Sequence, residues 1–376
     1  MHTWSRQTGP TTTDSQPATM TTADSGDAFK EVQARHRKSP QILKDEVIDF
    51  RLSALDYRVT PTTGISPSSN ATAAAPPQVF GLSSHPGFAF APACLSPDSQ
   101  ERLAYLALSR YCERPHLTNI DLVPIKSGEE DDGRRIWHMW KTEHGFDDDR
   151  INKRQRTEEA NACTSTTKAK PYRSPKKLSW ATMGYHYDWT KRTYKEETKS
   201  PMPSEIQHLA AELLERMLPN AGSFKAEAAI VNYYNLKQQM GGHRDDLEFD
   251  FTKPVVSISL GLPAIFLLGG TTRNEAPLPV LVRPGDVMLL AGESRLAYHG
   301  MAKVIPNLDE DLPSVAYCDM SLPSESSIVI PDTERAAVAS FLASHRININ
   351  IRQVLPDGIE VISEGMKPPT EEPSII

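Results

Sequence analysis

The chain is poor in cysteine and has no long apolar run. Its four cysteines (Cys94, Cys112, Cys163 and Cys318) are spread over 376 residues, and none stands in a Cys-x-x-Cys pair. That is too sparse for the disulfide framework of a secreted scaffold, so a reducing compartment is expected. The longest apolar runs, Ala264–Leu268 and Val287–Ala291, fall far short of the ~20 residues of a membrane helix, so no membrane association is expected. Before Lys30 the lone lysine or arginine is Arg6, against Asp14, Asp24 and Asp27. No basic stretch there leads into an apolar core, which argues against a secretory signal and against a mitochondrial presequence. We expect an intracellular protein of the nucleus or cytoplasm, with the mitochondrion left open. Positive charge is not in excess either: 41 Lys and Arg face 48 Asp and Glu, a net charge of −7. A chain that coats nucleic acid by bulk attraction is thereby excluded. There is no internal repeat.

What is present is a composition that changes along the chain. Residues 1–27 are rich in Ser, Thr and Gln without apolar periodicity and read as a disordered tail. An N-terminal extension, 28–126, carries a short basic helix at Phe29–Lys38 and a Pro/Ser/Thr/Ala linker at 61–77. Order is expected from about Val79, with a strand at Gly87–Phe90. A helix follows at Ser99–Arg110, where Ser96 is placed to cap and Pro97 to open it. From 127 to 177 lies a charged, flexible insert. Eight acidic residues against three basic ones occupy 129–149, then nine basic against two acidic occupy 150–177. It reads either as a self-neutralising loop or as a phosphate-attracting flap, with Lys153–Arg156 serving nuclear import.

After a helix at Ser204–Leu218 the rhythm becomes that of short strands broken by Gly and Pro. These are Ile230–Tyr234, Val255–Leu260, Ala264–Leu268, Pro279–Val282, Asp286–Leu290 and Ile347–Val354. One more helix is expected at Thr333–Ser344. The fold class is mainly β with flanking helices (α+β), a sandwich or jelly roll. Its domain spans 178–356, and 357–376 is a C-terminal tail.

Two constellations carry chemistry. In His243-Arg-Asp245, residues i and i+2 of an extended segment project to one face, so an imidazole and a carboxylate converge. Such tripeptides are common and need not bind anything; with His299 as a candidate third donor, the set would be the two histidines and one carboxylate that suit ferrous iron with open positions. In Arg346-Ile-Asn-Ile-Asn-Ile-Arg352 the period of two puts Arg346, Asn348, Asn350 and Arg352 on one face. That face either looks into water on an edge strand or turns inward to hold a dicarboxylate. Asn232 and Tyr234 add polar groups on the strand leading to His243.

Together with Ser259–Phe266 and Gly292–His299, these motifs resemble the AlkB family of Fe(II)/2-oxoglutarate dioxygenases. Trp180–Trp189, Leu267–Gly270 and Arg352-Gln-Val are most similar to its eukaryotic homologue 1 subfamily. The resemblance is strong over 178–356. It implies a double-stranded β-helix (jelly roll) with an N-terminal helical and lid extension, and Fe(II), 2-oxoglutarate and O2 as reactants. It further implies Fe(II) at His243, Asp245 and His299. Arg346 would hold the distal carboxylate of 2-oxoglutarate with Tyr234, while Asn232 and Arg352 would serve its keto-acid end. Asn348 would bond nearby, and Asn350 shares that face. Trp180, Tyr185, Tyr187 and Arg273 would meet substrate. Leu247 departs from the bacterial repair enzymes, which carry an acid at that position, so their base recognition does not transfer. The activity implied is oxidative demethylation of N-methylated nucleobases, such as 1-methyladenine in tRNA or DNA, with release of formaldehyde, succinate and CO2; a monomer is expected. The alternative is a protein or histone hydroxylase or demethylase built on the same iron site.

Overall fold

The computed structural model describes residues 26–56, 58–62, 78–131, 133–146, 170–188, 191–306, 308 and 329–369. Residues 1–25 of the tail expected at 1–27, most of the linker, the Lys153–Arg156 run, Lys168 and Trp189 lie outside the described residues, whereas Asp27 of that tail caps the first helix, its carboxylate accepting from the Lys30 N–H.

Two antiparallel sheets face each other, with strands numbered in chain order. Across the larger sheet run β1 (Val59–Thr62), β2 (Val79–Leu82), β3 (His85–Ala91), β15 (Val287–Leu290), β12 (Val255–Gly261), β17 (His345–Arg352), β10 (Ala228–Asn235), β7 (Trp180–Gly184) and β4 (Leu117–Thr118). The smaller sheet has the order β11 (Met240–His243), β16 (His299–Val304), β13 (Ala264–Leu268), β14 (Leu278–Val282). Two short ribbons stand apart, β5 (Glu129–Glu130) with β6 (Lys170–Pro171) and β8 (Tyr187–Asp188) with β9 (Thr193–Tyr194). This is the jelly-roll core of the α+β class.

The alternation of β17 explains the layering. Ile347, Ile349 and Ile351 are fully buried on the outer face, where they join Val231, Tyr233, Val256, Ile258 and Leu260 from neighbouring strands. Helices α2 (Pro97–Leu106), α3 (Ile136–His144), α4 (Ser204–Met217) and α5 (Asp332–Leu342) cover that face. In α4 the buried Ile206, Leu209, Ala210, Leu213, Leu214 and Met217 form one stripe at helical spacing. Each buried leucine or isoleucine contributes roughly 1.5–3 kcal/mol. Ser96 caps α2 as expected, its Oγ accepting from the Ser99 N–H at 3.2 Å, and Pro97 opens the helix. Helix α4 instead begins after Pro203 with no side-chain cap.

The opposite face of β17 looks inward. At one end of the sandwich the gap is filled by phenylalanines, with Phe50 stacked on Phe90 at 4.2 Å between centroids and Phe88 and Phe266 nearby. At the other end it stays open.

Two expectations are corrected. Order begins well before Val79: α1 (Ala28–Lys38) lies on the outer face of the smaller sheet, and Phe29, buried completely, packs with Ile265, Leu267 and Ala302. Ile48 bridges to β14 by two backbone bonds, 2.8 Å to the Pro279 carbonyl and 2.9 Å from the Leu281 N–H. Pro61 sits within edge strand β1, where the missing N–H is tolerated. The charged insert is also partly built into the fold. Trp137 and Trp140 of α3 are buried and stacked, and Gly145 closes that helix at φ +77°. Charge counting missed this because two tryptophans outweigh many solvated charges.

Candidate active site

The open end of the sandwich is a cavity of ≈ 610 Å³ lined from both sheets. His243 ends β11 and His299 begins β16, and the two are directly paired across that ladder, their ring centroids 4.4 Å apart. Asp245 follows two residues after the strand ends. One donor atom from each of His243, Asp245 and His299 lies within 4.8 Å of the others, among the described residues the one such cluster. Both imidazoles are oriented the same way. Nδ1 of His243 bonds the Gly241 carbonyl and Nδ1 of His299 the Ala297 carbonyl, each at 3.0 Å. These bonds leave both Nε2 atoms to face a metal.

Electrostatics favour the metal-ready protonation state. Burial pushes the Asp245 carboxyl up, but the charge of Arg352, with Arg295 adding to it, outweighs burial and holds the group well below the usual carboxylate range. Burial pulls His299 down to about 4, with His243 adding to the effect, so its imidazole stays neutral. Arg352 donates from Nη2 to Asp245 Oδ2 at 2.8 Å, and its Nε lies 3.5 Å from Glu248. Glu248, itself buried, accepts from Arg295 at 2.8 Å and from the Tyr194 hydroxyl at 2.9 Å. Arg295 also bonds the Asp245 main-chain carbonyl at 2.6 Å. The motif Gly292–His299 contained Arg295, yet nothing in its spacing marked that arginine as a brace for Asp245. Nor did the sequence distinguish Glu248 or Tyr194.

The polar face of β17 supplies the second part of the site, and it faces the cavity, not water. Arg346, Asn348 and Arg352 are buried and Asn350 half-buried, and all four line the cavity. Tyr234 stands opposite Arg346 in the β10–β17 register, and Asn232 opposite Asn348. Asn348 is anchored by bonds of 2.9 Å to Ser257 Oγ and 3.1 Å to the Ile258 carbonyl. Arg346 spends only Nη2, on Ser259 Oγ at 3.0 Å, while its buried Nε and Nη1 have no partner. Burial lowers the Arg346 guanidinium to about 10, still charged at neutral pH. A buried guanidinium with two unmet donors fits a carboxylate. The three-donor cluster and this guanidinium therefore fit Fe(II) and 2-oxoglutarate.

The substrate-facing residues divide. Trp180 and Tyr187 line the cavity. Tyr185 does not line it. Its hydroxyl donates to Glu196 at 2.6 Å and its ring lies under Lys199. Arg273 is likewise engaged elsewhere, donating to Asp27 at 2.6 Å and to the Gly242 carbonyl at 2.8 Å. It fastens the start of α1 to the His243 strand. Leu247 lines the cavity wall.

The sequence pattern described as the 2OG-Fe(II) oxygenase superfamily matches residues 146–352. The nucleic acid dioxygenase ALKBH1 of Mus musculus is 33% identical over 345 residues, covering 90% of this chain and 81% of that one. The DNA N(6)-methyladenine demethylase ALKBH1A of Arabidopsis thaliana is 31% identical over 85% of this chain and 90% of its own. The tRNA demethylase abh1 of Schizosaccharomyces pombe is 35% identical over 185 residues, 48% of this chain and 54% of its own. A family match across more than half the chain, joined by one-third identity along nine-tenths of it, places this dioxygenase of Fe(II) and 2-oxoglutarate in the AlkB family.

Proposed function

We propose that the chain oxidatively demethylates N-methylated nucleobases, such as 1-methyladenine, in tRNA or DNA. The observation that carries this reading is the sharing of one cavity by the iron cluster, the unmet Arg346 guanidinium and the aromatic residues Trp180 and Tyr187. Aromatic faces receive nucleobases irrespective of sequence, and a base reaches such a cavity only when unpaired or flipped. The names borne by the relatives, with nucleic acid, DNA and tRNA among them, point the same way.

In this reading His243, Asp245 and His299 hold Fe(II), and Arg346 pairs with the distal carboxylate of 2-oxoglutarate beside Tyr234. Asn232, Asn348, Asn350 and Arg352 line the space around its keto-acid end. When bound, Fe(II) with 2-oxoglutarate and O2 supplies oxidation of a C–H bond to C–OH, with CO2 and succinate as co-products. An N-hydroxymethyl base then releases formaldehyde. The chain's own contribution is placement: Arg352 and Arg295 fix Asp245, the carbonyls of Gly241 and Ala297 fix the imidazoles, and Trp180 with Tyr187 presents the base.

The test is anaerobic loading with Fe(II) and 2-oxoglutarate, then air, with mass spectrometry of methylated RNA, methylated DNA and methylated peptides. Formaldehyde and demethylated base are expected from single-stranded nucleic acid. Turnover of peptide alone would replace this reading with the protein-oxidising alternative.

A further inference from the structure

At the mouth of the cavity two guanidiniums share one carboxylate. Arg192 Nη2 lies 3.1 Å from Asp246 Oδ1, and Arg244 Nη2 lies 3.7 Å from Oδ2 of the same residue. All three line the cavity together with Trp180 and Tyr187. Arg192 immediately precedes β9, and its side chain is 65% exposed. Its φ is +50°, a left-handed conformation that side-chain-bearing residues seldom keep unless something holds them there. Arg244 is held differently, over the ring of Tyr298 at 5.3 Å. Two charges of one sign against one of the other leave this rim with a net positive charge. It stands outside the cosubstrate end of the cavity, where Arg346 is buried.

We propose that Arg192 and Arg244, bridged by Asp246, form a phosphodiester latch, in which a phosphate of the substrate strand replaces Asp246 as the partner of Arg192. This rests on the nucleic-acid reading above and extends it to a named contact. A base seated in the cavity leaves its flanking phosphates at the mouth, where the exposed guanidinium stands. Arg192 meets Asp246 through Nη2, and the planar fork of a guanidinium can grip two phosphate oxygens. Asp246 keeps the rim paired in the free enzyme and competes with the strand, setting how tightly unmodified nucleic acid is held.

The test uses the full chain, loaded anaerobically with Fe(II) and 2-oxoglutarate. Binding of a fluorescent, methylated single-stranded oligonucleotide is followed by anisotropy across a potassium chloride series. Arg192→Gln is expected to weaken binding about tenfold and to flatten the log–log salt slope by about 0.7, one phosphate contact on a single strand. Arg192→Lys should restore most of the slope. Asp246→Asn should act in the opposite direction, tightening binding, because it frees both guanidiniums. If the ion pair merely braces the β8–β9 ribbon, both substitutions break the same brace and weaken binding in parallel, which overturns the latch. An unchanged slope in Arg192→Gln overturns it as well. A wild-type chain that binds no oligonucleotide overturns the nucleic-acid reading and the latch with it, whereas wild-type binding with unaltered variants removes the latch alone.

Discussion

Arg352 and Asp245, 107 positions apart in sequence, are joined by a 2.8 Å hydrogen bond in the wall of the cavity. One guanidinium on the cosubstrate strand thereby fixes one member of the iron cluster. Burial alone would lower Arg352, but Asp245, Tyr194 and Glu248 outweigh it and hold the guanidinium firmly protonated.

Removing that guanidinium should therefore be felt at the metal. Arg352→Ala is expected to weaken Fe(II) binding by about tenfold to a hundredfold, the usual effect of losing a partner that orients a ligand. Anaerobic metal titration without 2-oxoglutarate measures this. Arg352→Lys should recover only part, because a single ammonium lacks the fork that reaches both Asp245 and Glu248. Wild-type affinity in the alanine variant would show that Asp245 needs no such partner.

Arg346→Ala should act on the other reactant. Its unmet Nε and Nη1 are the donors offered to a carboxylate, and a hydrogen bond to a charged group is worth roughly 1.5–3 kcal/mol. The KM for 2-oxoglutarate should rise about tenfold to a hundredfold at saturating Fe(II). Succinate formation against 2-oxoglutarate concentration is the measurement, and an unshifted KM would refute the assignment.

Phe29→Ala tests the place of α1 in the fold. The ring is buried completely and fills the space beside Gly242 and Gly269, where a Cβ on Gly242 would come within 2.6 Å of it. Truncating a buried phenylalanine typically costs about 3–5 kcal/mol. The urea midpoint of the metal-free chain should fall accordingly. A loss below about 0.5 kcal/mol would mean that α1 is not part of the cooperative unit.

His186 predicts an acid sensitivity separate from the metal site. It is buried, with Nδ1 bonded to Thr182 Oγ1 at 2.7 Å, and burial, with His116 adding, pulls it down to about 4. The unfolded chain, with the histidine near its ordinary ~6.5, binds the proton first. Its contribution is therefore complete above ~6.5 and is lost as pH falls towards 4. The total is roughly 3 kcal/mol. Unfolding by urea at pH 7.5 and pH 5 should show a smaller acid loss in His186→Asn than in the wild-type chain. Equal losses would remove the buried-neutral assignment.

Much of this was legible because strands write themselves in period two. The seven residues from Arg346 to Arg352 gave the face, and the spacing of His243 and Asp245 brought an imidazole and a carboxylate together, while their reading as ligands came from the family resemblance. What periodicity could not say was which way the polar face pointed; that depends on four helices covering the isoleucine side. Tyr185 was misjudged because its partners could not be read from the strand pattern: its hydroxyl is taken by Glu196 and its ring lies under Lys199. Arg273 looked free as a loop arginine because its partner, Asp27, is 246 positions away.

Strand β17 has a consequence for biosynthesis. Among the described residues it is the last strand in chain order, yet it lies between β12 and β10 near the middle of the larger sheet. Until it emerges from the ribosome, those two strands each present an unpaired edge, the kind of surface that recruits other chains. The same strand carries Arg346 and Arg352, so a nascent chain lacking it has His243, Asp245 and His299 but neither guanidinium. Ribosome-bound chains ending before residue 345 should be protease-sensitive and aggregation-prone. Once β17 is inserted, sheet closure and assembly of the oxidising site become one event, and a chain stopped short of it lacks the guanidiniums proposed to hold 2-oxoglutarate.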